Sequence, residues 1–159
     1  MLARSSLPAR HAGAGISITV ADPQWRAAVP GVEALVRRAA RAAQRAARTR
    51  GPLTVLLADD ATLADLNAAF RGKTYPTNVL SWPRPGGGGD IAVALQRAAR
   101  EARETGRPLA HHLAHLVVHG TLHCAGRDHE DLKAARWMER EEALVLRRLG
   151  LPDPYRRKR

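Results

Sequence analysis

The sequence predicts an α+β fold: a single domain with a small mixed four-stranded sheet and about five helices packed on it. Three observations predict it. Short β-branched and apolar runs with the spacing of strands fall in the first part of the chain, and long helical patterns close it. The 159 residues match one domain large enough to bury a core without disulfides or a structural metal. No stretch is apolar for long enough to cross a bilayer, and no internal repeat is visible. The expected organisation is a loose extension over residues 1–15, a folded domain over 16–155 and a basic tail over 156–159.

The elements follow in order. Residues 1–15 are rich in Gly, Ala and Arg and carry no strand or helix pattern. Ile16–Val20 alternates apolar and polar residues and reads as a strand. Pro30 and Gly31 open a helix of about 18 residues. Its apolar face is Val32, Leu35, Val36, Ala39, Ala43 and Ala46. Arg37, Arg41, Arg45 and Arg48 recur on it as a basic stripe, which reads as a solvated face or as an RNA contact. Leu53–Ala58 is a second strand. Asp59, Asp60 and Thr62 supply caps for a helix through Phe70. Residues 78–82 form a third strand, residues 83–89 a glycine-rich turn without evident chemical meaning, and residues 90–94 a fourth strand. Residues 95–105 are helical, with Arg97–Glu101 and Arg100–Glu104 at pairing distance in sequence. Pro108 opens the next helix, which carries His111 to His123 and stops at Gly126. A last helix runs from about Asp131 to Leu149, with Gly150 as its stop.

Net charge is +11, from 26 Lys and Arg against 15 Asp and Glu, and only Lys73, Lys133 and Lys158 are lysines. Such an excess favours a polyanionic partner, and arginine suits bidentate phosphate contacts. Genomic base composition is an equally good origin for the arginine bias, though it leaves the charge in place. Cys124 is the lone cysteine, so an internal disulfide framework is excluded. The first residues lack the apolar core of a secretory signal, and the cytoplasm is the expected compartment.

The informative segment runs His119-Gly120-Thr121-Leu122-His123-Cys124-Ala125-Gly126-Arg127-Asp128-His129. His119 and His123 are four apart on a helix and project from one face. Gly126 lets the chain turn and bring His129 back to the same point. Three neutral imidazoles leave a fourth position for water, the layout of a catalytic zinc site. Such an ion brings the pKa of its water toward neutrality, so that it serves as a nucleophile. The spacing also fits the zinc peptidase pattern H-E-x-x-H-x-x-G-x-x-H, except that Gly120 stands where those enzymes carry their general base. Peptide hydrolysis is therefore disfavoured while the metal site survives. His115 shares a face with His119 and reads as a supporting or core residue. Cys124 reads as a small buried residue in preference to a ligand.

A second segment, residues 66–83, places Arg71 and Lys73 on a loop between a helix and a strand, where two cations could clamp a phosphodiester. Together the segments resemble the YbeY family of bacterial rRNA-maturation endoribonucleases. That family carries L-N-x-x-[YF]-R-x-K-x-x-x-T-[DN]-V-L-S-F-P, then G-D-I, then H-G-x-L-H-L-x-G-Y-D-H. Leu66, Asn67, Phe70, Arg71, Lys73, Thr77, Asn78, Val79, Leu80, Ser81 and Pro83 match the first pattern. Gly89, Asp90 and Ile91 match the second, and His119, Gly120, Leu122, His123, Gly126, Asp128 and His129 the third. Leu149-Gly150 and Asp153-Pro154-Tyr155 look like the family's C-terminus.

The resemblance covers about residues 16–155 and implies one Zn2+ on His119, His123 and His129, single-strand-specific RNA cleavage, and Arg71 as the functional arginine. It also implies maturation of the small-subunit rRNA 3′ end, late-stage ribosome quality control, and the ribosome, a ribosomal protein or a GTPase as partners. Trp82 replaces the usual Phe, and Cys124, Ala125 and Arg127 depart beside the metal site. Arg127 becomes a candidate RNA contact, with a solvated side chain as the alternative.

The expected chemistry is metal-assisted phosphodiester cleavage with Arg71 steadying the developing charge. No general base is evident, and attack by the substrate's own 2′-OH is the other route. Asp128 is a candidate to orient a ligand or to cap the following helix. Two other readings stand beside this one: a ribosome-associated RNA-binding module with a structural zinc, and a zinc hydrolase of non-RNA substrates. Aromatic residues make up 4%, so recognition is expected to lean on phosphate and shape more than on extensive base stacking.

Overall fold

The computed structural model describes residues 15–71, 77–128 and 130–156, and the backbone alone of Arg71. The extension at 1–14, Lys73, His129 and the tail at 157–159 lie outside the described residues. The element order is β1 (Ile16–Val20), α1 (Gln24–Ala28), α2 (Val32–Ala47), β2 (Leu53–Ala58), α3 (Asp60–Arg71), β3 (Val79–Pro83), β4 (Gly89–Ala94), α4 (Leu95–Glu104), α5 (Leu109–Cys124) and α6 (Leu132–Arg148).

The sheet is mixed and ordered β1-β2-β4-β3. β1 and β4 run parallel to β2, while β3 pairs antiparallel to β4 with Ser81 opposite Ile91. Parallel neighbours need crossovers, and α1 with α2 supplies the first. β3 and β4 are joined by a tight turn at 84–88, which sets them antiparallel. All six residues of β4 are buried, as expected of an inner strand covered on both faces.

One face of the sheet carries the larger core. Leu53, Val55, Leu57, Ile91 and Val93 pack there against Val32, Val36 and Ala39 of α2, Leu113 and Val117 of α5, and Met138 and Val145 of α6. The other face is smaller, with Leu56, Ala58, Ala92 and Ala94 against Leu63 and Leu66 of α3. Fully burying a Leu- or Val-sized side chain contributes about 1.5–3 kcal/mol, so the larger face supplies most of the stabilisation.

There are six helices among the described residues, one more than the sequence pattern predicts. The additional one, α1, is five residues long and too short to display a period. Its Trp25 is fully buried and donates its indole N–H to the carbonyl of Ala58 at 2.9 Å. Of the expected caps of α3, Asp59 serves, accepting from the Thr62 amide at 2.8 Å, while Asp60 Oδ1 accepts from the Arg97 amide in the first turn of α4 at 2.9 Å. The cap of α6 is Asp131, which accepts from the Ala134 amide at 2.8 Å, while Asp128 accepts from the Glu130 amide at 3.3 Å. Arg97 pairs with Glu101 at 3.0 Å, but Arg100 reaches Asp60 at 3.8 Å in place of Glu104.

The glycine run at 86–89 has a packing role. A Cβ on Gly89 would stand 2.5 Å from the Trp82 carbonyl and 2.6 Å from Cys124 Sγ. The start of β4 can lie this close to β3 and to the end of α5 only without a side chain.

Candidate metal centre

α5 starts after Pro108, whose missing N–H costs nothing at a helix start. Ten of its sixteen residues are buried, and it lies on β4 and β3. Gly120 permits this approach: a Cβ there would stand 3.1 Å from Ile91 Cγ2. The position at which zinc peptidases carry a glutamate is thus pressed against the sheet. This supplies a packing reason for the glycine, since any side chain there would have to displace Ile91.

His119 and His123 sit one turn apart on α5, about 6 Å along the axis. Each ring is held at the same nitrogen. His119 Nδ1 lies 2.5 Å from Glu142 Oε1 on α6. His123 Nδ1 lies 2.8 Å from Ser81 Oγ on β3. Ser81 faces α5 because it is paired with Ile91, whose side chain belongs to the larger core. A metal-ligating imidazole is typically fixed in this way, its second nitrogen donating to a carboxylate or other oxygen while Nε2 coordinates.

Glu142 is 1% exposed. Burial pushes its carboxyl upward, but hydrogen bonds with His115 and His119, the charge of His119 and the Tyr155 hydroxyl outweigh it and hold the group at about 2. Glu142 is therefore an anion at neutral pH. His115 Nε2 lies 3.0 Å from Glu142 Oε2, and the Tyr155 hydroxyl donates to the same oxygen. His115 thus has the supporting position expected of it. The closing Asp153-Pro154-Tyr155 is tied to the same carboxylate, and Arg107 Nη2 donates to the Pro154 carbonyl.

Sequence reasoning missed Glu142 and assigned no role to Ser81 or Tyr155. The signal for Glu142 was present. Met138, Glu142, Val145 and Leu146 form the buried stripe of α6, so a carboxylate stands at a core position of an amphipathic helix. For Ser81 the strand pattern alone carried no such mark.

The remaining candidate residues are placed as follows. α3 ends at Arg71, and Phe70 meets Trp82 edge-on with ring centroids 5.6 Å apart. Trp82 adjoins Ser81, so the backbone of Arg71 is delivered to the strand that supports His123. The Trp in place of Phe keeps this aromatic contact. Arg127 holds Glu141 through two bonds, Nε to Oε2 at 2.8 Å and Nη2 to Oε1 at 3.2 Å. Cys124 is 3% exposed, and burial, followed by the charge of Asp90, pushes its thiol up to about 12. Its Sγ packs against the start of β4, where a Cβ on Gly89 would stand 2.6 Å from it, in keeping with a small buried residue. Among the described residues no group of three His, Cys, Asp or Glu is arranged to hold a metal ion, and His129 is not among them.

Comparison with known proteins gives a consistent family. The family model described as endoribonuclease YbeY matches residues 19–150. An endoribonuclease YbeY of Gluconobacter oxydans is 47% identical over 155 residues, covering 94% of this chain and 91% of the relative. One from Chelativorans is 47% identical over 153 residues, covering 88% of this chain and 92% of the relative. A solution structure from Thermotoga maritima is 22% identical with a TM-score of 0.54, covering 89% of this chain and 99% of that one, and shows a shared fold.

Proposed function

The chain belongs to the endoribonuclease YbeY family, and we propose that it is a metal-dependent endoribonuclease whose single ion is held by His119, His123 and His129. The observation that carries this reading is the matched support of two imidazoles one turn apart, each held at Nδ1, one by a buried carboxylate and one by a hydroxyl. A histidine that served only the core would need no partner on the same nitrogen as its neighbour one turn away. The donor set of neutral imidazoles fits Zn2+. When bound, the ion supplies Lewis-acid activation of water or of a phosphate oxygen.

The chain's own residues do the rest. Glu142 and Ser81 fix the rings and the tautomer. Glu142 also places a negative charge behind His119, which raises the basicity of that ring. Arg71 stands at the end of α3 on the same edge of the sheet and neutralises charge on the phosphodiester, with Lys73 beside it in sequence. Arg127 is offered to RNA only in exchange for Glu141, so its contribution is smaller than that of a solvated arginine. The substrate is single-stranded RNA, the setting is maturation of the small-subunit rRNA 3′ end and quality control on the ribosome, and the compartment is the cytoplasm. Among the described residues no helix is long and apolar enough to cross a membrane.

The test is metal analysis of the purified protein together with cleavage of a single-stranded RNA, using His123→Ala and Arg71→Ala. One equivalent of metal is expected in the wild type. Cleavage should be lost in both variants and metal only in the first. One bound equivalent with no metal-dependent cleavage of any RNA would replace this reading with a structural zinc in a binding module.

A further inference from the structure

The basic stripe of α2 divides in the structure. Arg37 turns inward, its Nη1 donating to the Ile16 carbonyl at 2.6 Å, and ties α2 to β1. Arg41, Arg45 and Arg48 stay exposed and, with Arg50, line a concavity of about 630 Å³ together with Gly15, Gln44 and Thr49. No carboxylate lines it. Among the described residues none of these four arginines takes part in an ion pair or a side-chain hydrogen bond, whereas Arg26, Arg84, Arg97, Arg100 and Arg127 all have carboxylate partners.

The backbone adds a second observation. Arg48 closes α2 at φ 56 and ψ 41, and it is the one non-glycine residue with positive φ among the described residues. Glycine takes that left-handed position without strain, while other residues lose about 1 kcal/mol or more. The chain nevertheless carries a long cation there, and the helix C-terminus favours its charge.

We propose that this concavity is a second RNA-backbone site, which holds phosphates of the substrate strand away from the cleaved bond. The proposal rests on the RNA reading of the metal centre. It follows from charge: four guanidinium groups without a counter-charge repel one another, and a phosphate backbone relieves that repulsion with bidentate contacts. The occupant is RNA and not the chain's own start, because residues 1–14 contain no carboxylate. The two sites are built from different residues: none that lines the concavity belongs to α5, α6 or β3, which carry and support the candidate ligands. Gly15 leads into β1 and Thr49 lies against Gly87 of the turn at 84–88, so the concavity sits at one end of the sheet, while His123 is held from within β3 by Ser81. One RNA strand can then be cut at the metal centre and anchored at the concavity, which favours longer substrates without reading their sequence.

The experiment uses the triple variants Arg41→Gln, Arg45→Gln, Arg48→Gln and Arg41→Lys, Arg45→Lys, Arg48→Lys. Binding of a long single-stranded RNA is measured against salt with a chelator present, and cleavage is measured on that RNA and on an oligonucleotide too short to span both sites. Each lost phosphate contact lowers the slope of log K against log salt by about 0.7, so the glutamine variant should lose about 2. Its KM for long RNA should rise while cleavage of the short oligonucleotide is unchanged. The lysine variant should keep most of the slope. An unchanged slope in the glutamine variant, an equal loss on short and long RNA, or an equal loss of slope in the lysine variant overturns the proposal. If the wild type cuts no RNA, the nuclease reading falls, and the salt slope still decides the binding site by itself.

Discussion

Replacing Glu142 by Gln isolates the support of the metal ligands from the ligands themselves. The side chain keeps its size but loses its charge, and its amide nitrogen cannot accept. In the wild type it accepts from His119 Nδ1 at 2.5 Å, from His115 Nε2 at 3.0 Å and from the Tyr155 hydroxyl. Hydrogen bonds to a charged group contribute about 1.5–3 kcal/mol each, and at least one of these three must be lost. Removal of such a partner typically lowers metal affinity by about 10–100-fold, equivalent to about 1.4–2.7 kcal/mol. The assay is competition for Zn2+ against a chromophoric chelator, with thermal melting of the metal-free protein alongside. Glu142→Gln should bind Zn2+ about 10–100-fold more weakly. Glu141→Gln, which removes only the partner of Arg127, should bind like the wild type. Wild-type Zn2+ affinity in a folded Glu142→Gln would refute the assignment of His119 as a ligand supported by this carboxylate.

Three further outcomes follow from the same structure. Ser81→Ala removes one neutral hydrogen bond to His123 and should weaken Zn2+ binding by about 1 kcal/mol, less than the Glu142 change; a larger loss than for Glu142→Gln would reverse their ranking. Gly89→Ala drives a methyl into the Trp82 carbonyl and Cys124 Sγ and should lower stability in denaturant by about 1–3 kcal/mol; an unchanged midpoint would contradict the packing described. The Glu101–His112 pair makes the fold sensitive to acid. Burial pushes His112 below its usual 6.5, with Arg107 and His115 adding to the depression and Glu101 opposing it. Burial pushes Glu101 up, but hydrogen bonds from Asn78, His112 and Arg97 bring it below 4.5. Both folded values lie below the unfolded ones, so the unfolded chain binds more protons and stability rises with pH. The His112 contribution is complete above pH 6.5 and is lost as pH falls below it; that of Glu101 is complete above 4.5 and is lost below it. Glu101→Gln should flatten the lower step and deepen the upper one in melts taken across pH, and an unaltered profile would count against the pair.

Much of this protein was legible because its signals are local. The strands at Ile16–Val20 and Leu53–Ala58 were plain from alternation and apolar runs, and the long helices from their apolar stripes. His119 and His123 share a face because four residues make about one turn, whatever surrounds the helix. The short α1 left no such trace, and its Trp25 gains its place only through the carbonyl of Ala58, 33 positions away. By itself, then, the sequence determined the element types, the histidine spacing, the charge and the family motifs, none of which depends on how the elements pack. The tertiary structure alone decided what stands behind the histidines. Glu142 comes from 23 positions beyond His119 and Ser81 from 42 before His123, and they converge only because α6 and β3 both pack on α5. It also decided which arginines of α2 remain without a counter-charge. Packing between elements is set by the summed fit of many apolar side chains, and no short stretch of sequence contains that sum.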